Sequence, residues 1–183
     1  MQAAREHSKA VVLITGVSAS GKSTVAKALA ERLPRSVHVP GDSFRRMIVN
    51  GRTDMTPKPD HEAIEQLHLR YRLAATVADA YFEAGFTVVV QDVVLGAELG
   101  RLAATIRSRP LLVVVLAPRA EVVAARDRSR AKSGYHRWTV DELDAGLRRQ
   151  TPRVGLWLDS SEQTPSQTVE EILERAWTEA AVP

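Results

Sequence analysis

The sequence predicts an α/β domain in which helices cover both faces of a parallel sheet. Two observations predict it: apolar runs of strand length alternate with segments of helical composition, and a glycine-rich loop joins the first run to the first helical segment. Such alternation makes the connections right-handed crossovers and aligns the strands in parallel. With 183 residues, of which 44% are hydrophobic, we expect a polar tail at residues 1–9 and a single domain over 10–183.

Five apolar runs are predicted as strands. They are residues 11–15, 37–39, 87–91, 111–116 and 154–158. The first and the fourth, VVLIT and LLVVVL, show no polar alternation, which is typical of strands buried on both faces of a sheet. We therefore expect five parallel strands.

Helical segments separate these runs and follow the last of them. They are residues 22–33, 61–84, 97–107, 120–132, 139–150 and 164–180. The last two have clear start signals, because Thr139 with Glu142 and Thr164 with Gln167 have the spacing of a capping box, and Pro165 suits the first helical position. The least regular stretch, residues 50–60, is predicted to be a mobile loop over a substrate site.

Composition excludes several classes of protein. The chain has no cysteine, which excludes disulfide scaffolds, thiol nucleophiles and thiolate zinc sites and favours a cytoplasmic location. The longest nearly apolar run, residues 111–117, is too short to span a membrane, and residues 1–9 are too polar for a signal peptide. With 25 Lys and Arg against 22 Asp and Glu, the net charge of +3 does not indicate a nucleic-acid partner.

The loop after the first strand matches the phosphate-binding pattern G-x-x-x-x-G-K-[ST], between a buried strand and a helix as that chemistry requires. Lys22 is predicted to reach the β and γ phosphates of ATP, and the Ser23 hydroxyl to bind Mg²⁺. Backbone N–H groups of the loop would surround the phosphate oxygens. The predicted nucleotide-binding residues are Gly16, Val17, Ser18, Ala19, Ser20, Gly21, Lys22, Ser23 and Thr24.

A bound nucleoside triphosphate is compatible with phosphoryl transfer, with hydrolysis as a switch or motor, or with binding alone. The chain has no room for the extra modules of motor ATPases, and no Asn-Lys-x-Asp guanine signature follows any predicted strand. A compact kinase fits best.

The second predicted strand is followed by Asp42, Arg45 and Arg46, at the sheet edge where ligands of open α/β folds bind. A carboxylate there can orient and deprotonate an acceptor hydroxyl, and a neighbouring guanidinium can hold an anionic substrate or the transferring phosphoryl group. Asp42 is therefore predicted to be the general base. The alternative is that Asp42 caps a helix beginning near Ser43.

Asp92 follows the third strand, a position suited to a carboxylate that orients Mg²⁺ through water. The alternative is that this carboxylate only satisfies nearby backbone N–H groups.

Arg126 and Arg130 lie four residues apart on one helix face, and Arg128 lies on the other side. Cations over the phosphates would neutralise the charge that develops during transfer. The alternative is a solvated basic helix.

The long helix carries further polar side chains that could contact an acceptor, although most are expected to form its exposed face. They are Gln66, His68, Arg70, Tyr71 and Arg72.

The strand, the GxxxxGKS loop, the helix and the following Gly-Asp-Ser-Phe-Arg resemble the P-loop kinases of nucleoside-monophosphate-kinase type. Over residues 11–180 the chain is most similar to the branch of chloramphenicol phosphotransferase, zeta toxin, tunicamycin-resistance protein and polynucleotide kinase. The resemblance implies a three-layer P-loop fold with strand order 2-3-1-4-5. It also implies that Asp42 is the general base, that Arg45 binds substrate or phosphate, and that Arg126 and Arg130 divide nucleobase stacking and phosphate contacts between them.

The leading hypothesis is an ATP- and Mg²⁺-dependent kinase of a small hydroxylated molecule, an antibiotic or a metabolite, acting as a monomer or homodimer. One alternative is a non-catalytic ATP-binding protein that sequesters a ligand or regulates a partner. Another is a kinase of nucleic-acid 5′-hydroxyl groups, which 5% aromatic residues and a net charge of +3 disfavour. The short predicted lid, residues 131–138, argues against a nucleotide acceptor.

Overall fold

The computed structural model describes residues 7–129 and 138–183. The strands of this part are β1 (Val11–Gly16), β2 (Ser36–Pro40), β3 (Thr87–Gln91), β4 (Leu111–Leu116), β5 (Leu156–Leu158) and β6 (Ala181–Val182). The α-helices are α1 (Lys22–Arg32), α2 (Asp42–Arg46), α3 (His61–Glu83), α4 (Ala97–Thr105), α5 (Ala120–Arg128), α6 (Val140–Ala145) and α7 (Pro165–Glu179). A turn of π-helix, Gly146–Gln150, continues α6.

The sheet has the strand order β2-β3-β1-β4-β5, with all five strands parallel, which confirms the predicted architecture. β1 lies at the centre, where Val11 pairs with Val88 of β3 and with Leu111 of β4. A sixth strand was not predicted: β6 pairs antiparallel with Leu111 and Leu112 at the start of β4. With two residues, it is too short to give a periodic signal.

The alternation of side chains along β1 divides the core into two layers. Val11 and Leu13 face a cluster that includes residues of α3 and α4, whereas Val12 and Ile14 face one that includes residues of α1 and α7. Every residue of β1 is buried, as its uninterrupted apolar run predicts.

Local signals placed the two C-terminal helices correctly. Thr139 and Glu142 form a capping box at the start of α6. Thr164 and Gln167 form another at α7, with Pro165 at the first helical position. α5 ends at Arg128 with Ser129 as its C-cap residue, and residues 130–132 of its predicted length, like the predicted lid up to residue 137, fall outside the described residues.

The carboxyl ends of β1 to β4 meet at one edge of the sheet, where the loops after β1, β2 and β3 face each other. Gly41 N donates to Gln91 O at 2.9 Å, which joins the end of β2 to the end of β3. Thr15 Oγ1 at the end of β1 donates to Val94 O and accepts from Val94 N, both at 2.9 Å. Within residues 7–129 and 138–183, no helix has the length and hydrophobicity needed to cross a bilayer.

Candidate active site

The loop between β1 and α1 has a backbone that few sequences allow. Gly16, Ala19 and Gly21 have φ values of 152°, 59° and 94°. A Cβ on Gly16 would lie 2.6 Å from Leu116 O, so no side chain fits there. Ala19 is a non-glycine residue in the left-handed region, and such residues concentrate at functional sites. The two glycines allow this backbone, and Ala19 is the one of the three residues that is strained by it.

α1 begins without a side-chain cap, because its N-cap residue is Gly21. The N–H groups of the first helical turn have no partner inside the helix, and the helix dipole favours an anion there. The Lys22 side chain folds back over the loop, where Nζ donates to Val17 O at 3.0 Å. The arrangement therefore directs N–H groups and an ammonium group to one point, as phosphate binding requires.

The predicted loop residues lie around this point. Val17, Ala19 and Ser20 are buried, Ser18 is half-buried, and Thr24 is exposed on the first turn of α1. The buried Ser20 hydroxyl has no hydrogen-bond partner among the described residues. An orphaned hydroxyl in the loop fits a site whose ligand supplies the missing partner.

Ser23 contacts a residue that the sequence analysis did not select. Its hydroxyl donates to Gln91 Oε1 at 3.0 Å, and Gln91 is 5% exposed at the end of β3. A hydroxyl and an amide oxygen are hard oxygen ligands that suit Mg²⁺, which keeps most of its waters and takes few protein ligands. Within the described residues, no cluster of three or more His, Cys, Asp or Glu could hold a metal ion. The donor set thus fits Mg²⁺ bound mainly by phosphate oxygens and water.

Asp92 has different neighbours from Ser23. Its carboxylate pairs with Arg70, Nε to Oδ2 at 2.9 Å, and Oδ1 accepts from the N–H of Val93 at 2.7 Å. A Cβ on Gly41 would lie 2.2 Å from Asp92 Oδ2, so the start of α2 packs directly on this carboxylate. Burial raises the pKa of Asp92, while Arg70 and the Val93 amide oppose that rise. The metal role of Asp92 stays a prediction.

Asp42 is the first residue of α2, whose N-cap residue is Gly41 and which has no side-chain cap. The carboxylate is therefore not tied to the helix backbone, and the alternative of a helix cap is wrong. Asp42 Oδ1 lies 3.6 Å from Arg45 Nη1, and Oδ2 lies 3.5 Å from Arg46 Nε. The side chain is 47% exposed, so a hydroxyl group can reach it.

Arg45 connects α2 to the loop at residues 50–60. Its Nη2 lies 2.6 Å from Asp54 Oδ1, and its Nε donates to the same oxygen at 2.8 Å. Gln66 of α3 holds the loop by accepting from Thr53 N at 2.9 Å and donating to Gly51 O at 2.8 Å. The loop thus lies beside α2, and both its position over a substrate site and its mobility stay predictions.

Arg126 lies beside the phosphate loop, at Ser20. Its guanidinium donates to Ser160 O at 2.9 Å and to Ser20 O at 3.4 Å. The Ser160 hydroxyl is buried and, like that of Ser20, has no partner among the described residues. Arg128 is exposed, and Arg130 falls outside the described residues. The nucleotide-binding role of Arg126 and the catalytic role of Arg130 therefore stay predictions.

Of the five polar residues of α3 singled out from the sequence, four do not lie on an exposed face. Tyr71 is 2% exposed, and burial raises its pKa. The half-buried His68 pairs with Glu98 of α4 at 3.2 Å, and Arg70 pairs with Asp92. Only Arg72 is exposed as expected. Arg70 lies near the middle of a long helix, and no local pattern there could reveal a partner 22 residues away in the sequence.

Solved structures with this fold include the following three. A sugar kinase from Janibacter sp. HTCC2649 superposes with a TM-score of 0.67 at 23% identity, covering 92% of this chain and 94% of that one. The tunicamycin resistance protein of Deinococcus radiodurans has a TM-score of 0.68 at 21% identity, covering 97% and 100%. APS kinase of Mycobacterium tuberculosis, in complex with AMPPNP and APS, has a TM-score of 0.67 at 22% identity, covering 91% and 96%.

Two curated proteins match in sequence. The UPF0200 protein of Aeropyrum pernix is 31% identical over 135 residues, which are 73% of this chain and 71% of that protein. The tRNA dimethylallyltransferase of Chlorobium phaeobacteroides is 37% identical over 89 residues, 48% of this chain, and this match spans only 27% of that enzyme.

A family model described as an AAA domain, AAA_33, matches residues 11–153. This range begins at the central strand and includes the phosphate loop, Asp42, Asp92 and Arg126. The chain belongs to this AAA-domain family, and its fold is that of the P-loop kinases.

Proposed function

We propose that the protein is a kinase that transfers the γ-phosphoryl group of Mg·ATP to a hydroxyl group of a small molecule. The observation that carries the proposal is the position of Asp42. Its carboxylate does not cap α2 and is half-exposed at the sheet edge that also carries the phosphate loop. A protein that only bound nucleotide would have no use for a base at that place.

The nucleotide phosphates bind over the loop, against the N–H groups of the first turn of α1 and the ammonium of Lys22. The buried hydroxyls of Ser20 and Ser160 and the guanidinium of Arg126 border the same region. Ser23 and Gln91 would hold Mg²⁺, which neutralises phosphate charge when bound. The complex of the structurally similar APS kinase with AMPPNP supports nucleotide binding by this fold.

Asp42 accepts the proton of the acceptor hydroxyl. The hydroxyl oxygen attacks the γ phosphorus, the new O–P bond forms as the bond from that phosphorus to the β–γ bridging oxygen breaks, and ADP leaves. Arg45 stabilises the transferring group or an anionic part of the acceptor, and Arg130 adds a further cation. Because ATP and Mg²⁺ are abundant in the cytoplasm, we place the reaction there.

The test is to incubate the protein with Mg²⁺, labelled ATP and a panel of hydroxylated small molecules, and to search for a product heavier by one phosphoryl group. We expect one class of acceptor to be phosphorylated, with ADP formed in equal amount. ADP formation that no acceptor accelerates, with no phosphorylated product, would contradict the proposal and leave a nucleotide-binding protein.

A further inference from the structure

Arg70 and Asp92 form a charged pair that is almost removed from solvent. The Arg70 side chain is 14% exposed and that of Asp92 is 6% exposed. The contact is an ion pair at 2.9 Å without the alignment of a hydrogen bond, since neither Nε nor Oδ2 has a hydrogen-bond partner among the described residues. Buried pairs of this kind contribute little net stability, because desolvation offsets the attraction. Stability alone therefore does not account for the pair.

The pair lies between the proposed base and the phosphate loop, because the Asp92 carboxylate interacts electrostatically with both Asp42 and Lys22. Asp92 Oδ2 packs against Gly41, the residue directly before the proposed base Asp42. Arg70 enters from α3, the helix whose Gln66 holds the loop beside α2. The hydrogen bonds of Ser23, Gln91 and Arg126 involve neither Arg70 nor Asp92.

The guanidinium of Arg70 has donors to spare. An arginine carries five N–H donors; Nε of Arg70 faces Asp92, the guanidinium also interacts with the neighbouring Tyr71, and donors remain for a ligand. Throughout residues 7–129 and 138–183, no carboxylate other than Asp92 pairs with Arg70. By contrast, Arg45 pairs with both Asp42 and Asp54. The N–H of Val93 fixes Asp92 by donating to Oδ1, and Asp92 in turn orients the Arg70 guanidinium through Oδ2.

Resting on the kinase function proposed above, we propose that Arg70 binds an anionic group of the acceptor, so that the substrate is a hydroxylated anion: a carboxylate, or a phosphate or sulfate ester. Asp92 is the positioning residue that orients Arg70. The planar fork of a guanidinium matches two oxygens of such a group, and charge-assisted hydrogen bonds are roughly twice as strong as neutral ones. A neutral polyol could not use that fork in the same way.

Binding is measured by calorimetry in the presence of Mg·AMPPNP, so that affinity is separated from transfer. The probes are pairs with one carbon skeleton, namely gluconate and glucitol, glycerate and glycerol, and pantothenate and panthenol, with glycerol 3-phosphate as the ester arm. For at least one skeleton we expect the charged member to bind about tenfold or more tightly than the neutral one, a difference of the size expected for a charge-assisted pair. The carboxylate and ester arms show which anion is preferred.

Arg70→Gln should abolish the preference for the charged probe. The matched control is Arg72→Gln, two residues along the same helix and exposed, which should retain it. Asp92→Asn should reduce the preference for the charged probe, and Asp92→Glu, which keeps the charge, should restore part of it; a merely structural role would not follow the charge in this way. If Arg70→Gln does not fold, the double variant Arg70→Gln with Asp92→Asn removes both charges and leaves no buried lone ion.

Absence of any preference for the charged probes, or its persistence without Arg70, would overturn the inference. The kinase proposal is decided separately by transfer from ATP. Phosphorylation of neutral acceptors by Arg70→Gln would remove the anion requirement and keep the kinase. Arg70-dependent anion binding without any phosphorylated product would remove the kinase and keep the anion site.

Discussion

Lys22 is the residue on which nucleotide binding depends most directly. Its ammonium is held over the loop by Val17 O at 3.0 Å and needs little rearrangement to meet a phosphate. We expect Lys22→Ala to lower turnover about 100-fold or more, the scale of losing one preorganised charge contact to a transferring group. Calorimetry with Mg·ATP measures the loss of nucleotide affinity, and single-turnover transfer measures the loss of turnover.

The control for this variant is Lys27→Ala on the same helix, because the Lys27 side chain is 71% exposed and pairs only with Glu31 among the described residues. It should leave both ATP affinity and turnover unchanged. Both variants should melt near the wild-type temperature. Wild-type ATP affinity and turnover in Lys22→Ala would contradict the assignment of the phosphate loop.

Asp42→Asn separates chemistry from binding. A base at this position acts on the acceptor, so ATP affinity should stay nearly normal while turnover falls about 100- to 10,000-fold. Because Asp42 does not cap α2, we expect a stability change of about 0.5 kcal/mol or less, the size of a charge effect at a helix start. Thermal melting and single-turnover transfer provide the two readouts, and a full transfer rate would remove Asp42 from the mechanism.

At the scale of single elements, α5 presents one arginine to the site and one to solvent. Arg126 contacts the carbonyl groups of Ser20 and Ser160, whereas Arg128 is exposed. Arg126→Ala should weaken Mg·ATP binding and transfer by about tenfold or more, and Arg128→Ala should change neither, because only the first lies at the phosphate loop. Titration calorimetry of both variants checks this. The assigned helix face would be wrong if Arg128 proved the more sensitive position.

Local sequence patterns predicted the elements of the fold but not the side-chain pairs between distant residues. The phosphate loop, the buried run of β1 and the capping boxes of α6 and α7 are local patterns, and all were predicted. The pairing of Ser23 with Gln91 joins residues 68 positions apart, and no local signal encodes it. Likewise, Arg70 was expected on the exposed face of α3, because the sequence of the helix does not show its buried partner Asp92, which follows β3. Long-range side-chain pairs, rather than elements, were therefore the part that needed the structure.

At the scale of the whole molecule, the buried carboxylate of Asp79 connects α3 to the loop before β4 through hydrogen bonds. Asp79 accepts from the N–H groups of Arg107 and Ser108, at 3.1 Å and 2.9 Å. Burial alone would raise the pKa of Asp79, but these hydrogen bonds outweigh it and hold the pKa below the usual value.

A depressed folded-state pKa stabilises the fold above the pKa of the unfolded chain, about 3.9, and this stabilisation is lost as the pH falls through the folded-state value. Asp79→Asn should therefore lower the free energy of unfolding by about 1–3 kcal/mol at pH 7, and the difference from wild type should narrow toward pH 3. Urea unfolding at pH 7, 5 and 3 measures it. Asp141→Asn, at an exposed position, is the control, and a difference that does not depend on pH would refute the linkage.

The edge of β4 is closed in two pieces, by β5 along Val114–Leu116 and by the two residues of β6 along Leu111 and Leu112. Val113 N, between them, donates to Ala180 O at 2.9 Å. Without β6, three consecutive apolar residues would present unpaired backbone groups to any other extended chain. By pairing with the start of β4, β6 thus prevents a strand of another molecule from pairing there.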